Sequence, residues 1–236
     1  MIKNQETILF QGDSITDCRR DREVGGTPND LHSLGKGYAM MASAQILSAR
    51  PGADLKFFNR GISGNRVVDL SARVKSDLIN LAPDVVSILI GVNDTWHGQR
   101  HQNGVTVPKY ERVYRELLAE VREALPRVRF VLCEPFVLQC GVVSNDWIVE
   151  IDQRRAVVAG LAREFEATFI PFQSIFDECV TLASPSYWAA DGVHPSAAGH
   201  LRMANAWVKH MNAMDIPRDP LSNEDTEIPS PLRVAS

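Results

Sequence analysis

Six residues in the middle of the chain, Val85-Val86-Ser87-Ile88-Leu89-Ile90, limit the fold more than any other stretch. Apolar side chains occupy both parities of the run, so as a strand it needs cover on both faces. That is the pattern of a central strand in a parallel sheet. Four shorter runs read as further strands: Thr7 to Gln11, Leu55 to Phe58, Val128 to Cys133 and Thr168 to Ile170. Helical spacing lies between and after them, over Tyr38–Ala49, Val67–Leu81, Ile148–Phe165, Ile175–Leu182 and Ala197–Met211. Tyr110, Val113, Tyr114, Leu117, Leu118, Val121 and Leu125 recur at three- and four-residue steps, and Pro108 suits the first turn of that helix. Parallel strands need crossovers, so five strands alternating with helices predict an α/β fold with helices on both sheet faces. Polar stretches at 16–37, at 97–107 and from Cys133 through Trp147 predict loops.

The 236 residues suffice for one sizeable domain, expected over 1–215. Residues 216–236 hold four of the thirteen prolines and several charges. Such a segment cannot form its own core, so it predicts a tail docked on its own or a neighbouring subunit, a possible homo-oligomer. A net charge of −4 favours neither nucleic acid nor an anionic membrane surface. No run approaches the roughly 18 apolar residues of a membrane span, and the first six residues lack a signal-peptide core. Cys18, Cys133, Cys140 and Cys179 show no metal-ligand spacing, so reduced thiols in a cytoplasmic protein are expected.

Three strand exits share a composition: Gly12-Asp13-Ser14-Ile15-Thr16, Gly61-Ile62-Ser63-Gly64-Asn65 and Gly91-Val92-Asn93-Asp94. In a parallel sheet these ends lie along one edge, where ligands bind. Ser14 is the candidate nucleophile, or else Asp13 and Ser14 only cap the next helix. Gly64 and Asn93, with the Ser14 N–H, are candidate donors to an oxyanion, or else both loops are tight turns. Asp191-Gly192-Val193-His194 supplies a base and its orienting carboxylate, three residues apart.

Taken together, Gly12-Asp13-Ser14-Ile15-Thr16, Gly64, Gly91-x-Asn93-Asp94 and Asp191-x-x-His194-Pro195 resemble the four sequence blocks of the SGNH (GDSL) hydrolases. The resemblance spans residue 6 to about 212. It implies a flavodoxin-like three-layer αβα sandwich with a five-stranded parallel sheet. By position it implies Ser14, His194 and Asp191 as a catalytic triad, with an oxyanion hole from Ser14, Gly64 and Asn93. The extended segments Gly12 to Cys18, Asn59 to Asn65, Gly91 to Trp96 and His194 to His200 are similar to intracellular bacterial acetylxylan esterases of that superfamily. A serine esterase that removes O-acetyl groups from small carbohydrates is therefore expected, with no cofactor and no metal. A short-acyl lipase or thioesterase on the same residues is the rival within enzymes, and a silent carbohydrate-binding relative is the rival outside them.

Asp13, Trp96 and Trp188 are the candidate substrate-contacting residues. Either tryptophan could stack on a pyranose or merely wall the site, while Trp147 and Trp207 are expected to be structural. Arg19, Arg20 and Arg22 could bind an anion or form a solvated loop. His97 and His101 have an i, i+4 spacing usable for metal on a helix, but Gly98 and polar neighbours predict a loop there.

Overall fold

The run at 85–90 becomes the middle strand of a five-stranded, all-parallel sheet in the computed structural model, which describes residues 2–211. The expected tail at 216–236 and the boundary at 215 lie outside the described residues. The strands are β1 Thr7–Gly12, β2 Lys56–Asn59, β3 Val85–Leu89, β4 Arg129–Cys133 and β5 Thr168–Ile170. Their spatial order is β2-β1-β3-β4-β5, with Gly12 level with Leu89. The order reverses direction between β1 and β3, and a crevice opens outside the carboxyl ends of two such strands. The loops after Gly12 and Leu89 leave the sheet there.

Side-chain alternation feeds two cores. Ile8, Phe10, Val85 and Leu89 point to one face, Leu9, Val86 and Ile88 to the other. Helices α2 (Tyr38–Ala49), α8 (Phe172–Val180) and α10 (Ala197–His210) cover the first. Helices α3 (Val67–Ala72) and α6 (Val107–Ala124), with the second half of α7 (Asn145–Glu164), cover the second. Trp207 of α10 is fully buried, and its Nε1–H donates to Ser87 Oγ on β3 at 2.9 Å. Trp147 is buried as well, so both tryptophans expected to be structural sit in the core.

Several boundaries differ from the sequence reading. A four-residue turn of helix, α1 (Ser14–Asp17), opens the stretch read as a loop. The segment 67–81 is broken into α3, α4 (Val74–Asp77) and a 3₁₀ turn at Ile79–Leu81, ending at Ala82 in a left-handed conformation. The stretch 97–107 is not one loop: α5 runs Val92–His101, and only a short turn separates it from α6. Gly98 misled the reading because it lies inside α5 without breaking it. A Cβ on Gly104 would meet its Cα at 2.6 Å, so the returning turn needs a bare backbone there. Helix α7 begins at Asn145, inside the expected loop, and a short α9 (Pro185–Trp188) precedes Asp191.

Candidate active site

Ser14 is the first residue of α1, immediately beyond β1. Asp13 forms the N-cap, its Oδ1 accepting the Ile15 N–H at 3.0 Å. Asp13 supplies the cap, so the Ser14 hydroxyl is not used for it. Ser14 Oγ lies 2.8 Å from His194 Nε2, across 180 positions of sequence. On the other side of the ring, Nδ1 lies 2.6 Å from Asp191 Oδ2. A carboxylate only accepts, so the Nδ1 proton faces it and the Nε2 lone pair faces the serine hydroxyl. Asp191 Oδ1 also accepts the backbone N–H of His194 at 2.7 Å and of Val193 at 2.9 Å. Burial pushes this carboxyl up, but the His194 and Val193 donors outweigh burial and hold it below its ordinary value.

Hydrogen bonds tie the three strand-end loops into one unit. The Ile62 N–H donates to Gly12 O at 3.0 Å, and the Ser63 N–H to Asp17 Oδ2 at 2.9 Å. Asn93 Nδ2 donates to Asn65 O at 3.1 Å, which leaves its second amide hydrogen available. Gly64 adopts φ +82, and a Cβ there would find nothing within 4 Å. The backbone is thus open to a ligand at a position that favours glycine. No hydrogen bond among the described residues engages the N–H of Ser14 or Gly64.

A cavity of about 350 Å³ fronts the serine, lined by Ser14, Cys18, Arg19, Ser63, His194 and His200 among others. Trp96 is partly buried beside it, with its ring 5.8 Å from that of His194 and braced edge-on by Trp147 at 5.3 Å. The other two substrate-contact expectations need correction. Asp13 is 1% exposed and serves as a cap beneath the serine. Burial raises its carboxyl to about 7, against the lowering effects of the Ile15 N–H and His194. Trp188 is 5% exposed, wedged between Tyr187 and Arg202, and lies in the core, not in the cavity lining.

Residues without an assigned role in the sequence build the surroundings. Asn59 Nδ2 donates to Thr16 O at 2.6 Å and Leu34 O at 2.9 Å, while its Oδ1 accepts the Gly61 N–H at 2.9 Å. This one side chain therefore holds the loops after β1 and β2 together. His200 Nδ1 accepts the Tyr38 N–H at 3.1 Å, and Nε2 lies 3.5 Å from Cys18 Sγ. Burial lowers the His200 imidazole to about 4, so it stays neutral in the cavity wall. Asp94 accepts the Val67 N–H and anchors the start of α3 behind Gly64. His97 and His101 share a helical face after all, with rings 5.6 Å apart. No group of three or more His, Cys, Asp or Glu with metal-binding geometry occurs among the described residues.

The arrangement can activate a hydroxyl, stabilise negative charge on a carbonyl oxygen and protonate a leaving alcohol. Residues 10–202 match the GDSL-like lipase/acylhydrolase family. The chain is 35% identical over 214 residues to an acetylxylan esterase of Geobacillus stearothermophilus, covering 89% of this chain and 95% of that one. The solved structure of that organism's acetylxylan esterase Axe2 superposes with a TM-score of 0.82 at 35% identity, over 89% of this chain and 96% of the other. A GDSL-like lipase candidate from Parabacteroides merdae superposes with a TM-score of 0.87 at 42% identity, over 90% and 98%.

Proposed function

The chain belongs to the GDSL-like lipase/acylhydrolase family and is a carboxylic ester hydrolase, and on that premise we propose that it removes O-acetyl groups from small carbohydrates such as acetylated xylo-oligosaccharides. The observation that carries this reading is the relay from Ser14 through His194 to Asp191, at 2.8 and 2.6 Å. Ser14 Oγ attacks the acetyl carbonyl carbon while His194 Nε2 takes its proton. The carbonyl oxygen becomes an oxyanion among the N–H groups of Ser14 and Gly64 and the Asn93 amide. Collapse breaks the bond to the sugar oxygen, which leaves with the proton from His194. A water then attacks the acyl-serine with the same base, releasing acetate and restoring Ser14.

At about 350 Å³ the cavity lies at the small end of ligand sites, which supports a short acyl group; its wall mixes Ile15 and Pro195 with Arg19, Ser63, His194 and His200. The 35% identity to an acetylxylan esterase supports a sugar as the alcohol part. The four cysteines are all free thiols, which supports a reducing, cytoplasmic setting. No helix among the described residues is long and apolar enough to cross a membrane.

Acetate release from a mixed library of acetylated oligosaccharides, read by mass spectrometry, tests the reading. The expected result is loss of acetyl groups from oligosaccharides with little turnover of esters beyond about eight carbons. Preferential cleavage of those long esters would overturn it.

A further inference from the structure

The three arginines that follow the serine turn have different surroundings. Arg20 is buried, and its Nε donates to Gly61 O at 2.7 Å. Arg22 pairs with Asp17 at 2.8 Å. Arg19 is exposed, and no hydrogen bond or ion pair among the described residues engages its guanidinium. Its backbone is left-handed at φ 61, directly after Cys18 at φ 37. Two successive residues in that region cost on the order of 1–3 kcal/mol each and persist only where the surroundings impose them.

That backbone sets Arg19 on the wall shared by two cavities. One is the cavity at Ser14 and His194. The other, of about 400 Å³, is lined by Arg19, Asp21, Leu31, His32, Lys36 and Met40. This size falls within the roughly 300–1,000 Å³ of small-molecule sites. Its lining is net positive. The Lys36 ammonium has no partner among the described residues, and Asp21 supplies the opposing carboxylate. Met40, from the first turn of α2, adds an apolar side chain to the same wall. Leu31 is 66% exposed, an isolated apolar surface facing solvent next to two cations.

We propose that this second cavity is a subsite for an anionic sugar residue in the alcohol part of the ester, a uronate whose carboxylate sits between Arg19 and Lys36. Leu31 and Met40 take the C–H face of the ring, and Asp21 accepts from its hydroxyls. The inference rests on the deacetylase reading and makes acidic acetylated oligosaccharides the favoured substrate class. A planar guanidinium grips a carboxylate in two parallel bonds, and the ammonium adds a point charge.

The test compares kcat/KM for acetate release from an acetylated neutral xylotriose, the same oligosaccharide bearing a uronic acid, and an acetylated sugar phosphate. The wild-type protein is expected to favour the uronate substrate over the neutral one by roughly tenfold or more, the effect of a charge-assisted hydrogen bond. That ratio should fall towards one in Arg19→Gln combined with Lys36→Gln, and also in wild type at high salt. Equal rates on neutral and uronate substrates would overturn the proposal, as would a preference that survives both the double substitution and salt. A preference for the phosphate alone would overturn the carboxylate assignment. If no acetylated carbohydrate is cleaved, the deacetylase reading fails separately. Calorimetric titration with the unacetylated uronate and neutral oligosaccharides then tests the subsite alone. Binding of the uronate that the double variant loses upholds it, and equal binding of both oligosaccharides sinks it.

Discussion

Asp191 grips His194 at both ends of the residue: Oδ1 accepts its backbone N–H at 2.7 Å and Oδ2 faces its ring Nδ1 at 2.6 Å. The ring is thereby fixed in orientation and in tautomer before any substrate arrives. Asp191→Asn keeps the shape but can present an N–H to the ring, which reverses the proton's position. Turnover is expected to fall by up to about 10⁴, with the folded structure retained. Steady-state kinetics on an acetyl ester, with circular dichroism as the folding check, measures this.

Asn93 is expected to act on charge that exists only in the transition state. Asn93→Ala should lower kcat by about 10²–10³ with little change in KM. A rise in KM at unchanged kcat would instead mean that the amide binds the ground state.

Much of the candidate site was legible from residue type: Ser14 and Asn93 stand just beyond strands β1 and β3, and Asp191 and His194 stand three residues apart between α9 and α10. The five strands were legible too, because runs such as Val85–Ile90 leave no other burial. What could not be read depends on packing between distant segments. Trp188 looked like a sugar platform from its closeness to Asp191, yet α9 turns it into the core. Gly98 looked like a breaker, yet it is the point where residue 104 crosses α5. The contacts of Asn59 and His200 reach partners up to 182 positions away, which no local pattern encodes.

Asn59 holds three buried backbone groups, from Thr16, Leu34 and Gly61. Asn59→Ala would leave all three unpaired at about 1–3 kcal/mol each before relaxation. Lower thermal stability and a lower kcat are expected together, although the side chain is 1% exposed and forms no part of the cavity lining.

Asp13 gives stability a pH dependence of defined sign. Its carboxyl is raised from 3.8 to about 7 in the folded protein, chiefly by burial. The native state therefore binds the proton more tightly than the unfolded chain, and this contribution is fully present below about pH 4 and lost as pH rises through 7. Asp13→Asn retains the capping oxygen without the ionisation. Its Tm relative to wild type should be higher at pH 8 than at pH 5, by an amount reflecting at most about 2–3 kcal/mol. A Tm difference that does not vary with pH would contradict the account.

Trp96 borders His194 and, of the two candidate tryptophans, is the one that is not fully buried. Trp96→Ala is expected to raise KM for acetylated oligosaccharides by about tenfold, in line with roughly 1 kcal/mol for an aromatic contact. KM for p-nitrophenyl acetate, which carries no pyranose, should change far less.

The most direct measurement is active-site labelling with a fluorophosphonate, followed by peptide mass spectrometry and an acetate-release assay on the same samples. A single adduct at residue 14, with both adduct and acetate release abolished in Ser14→Ala, is the predicted result. An adduct on another residue, or full acetate release by Ser14→Ala, would contradict the assignment of that hydroxyl as the nucleophile.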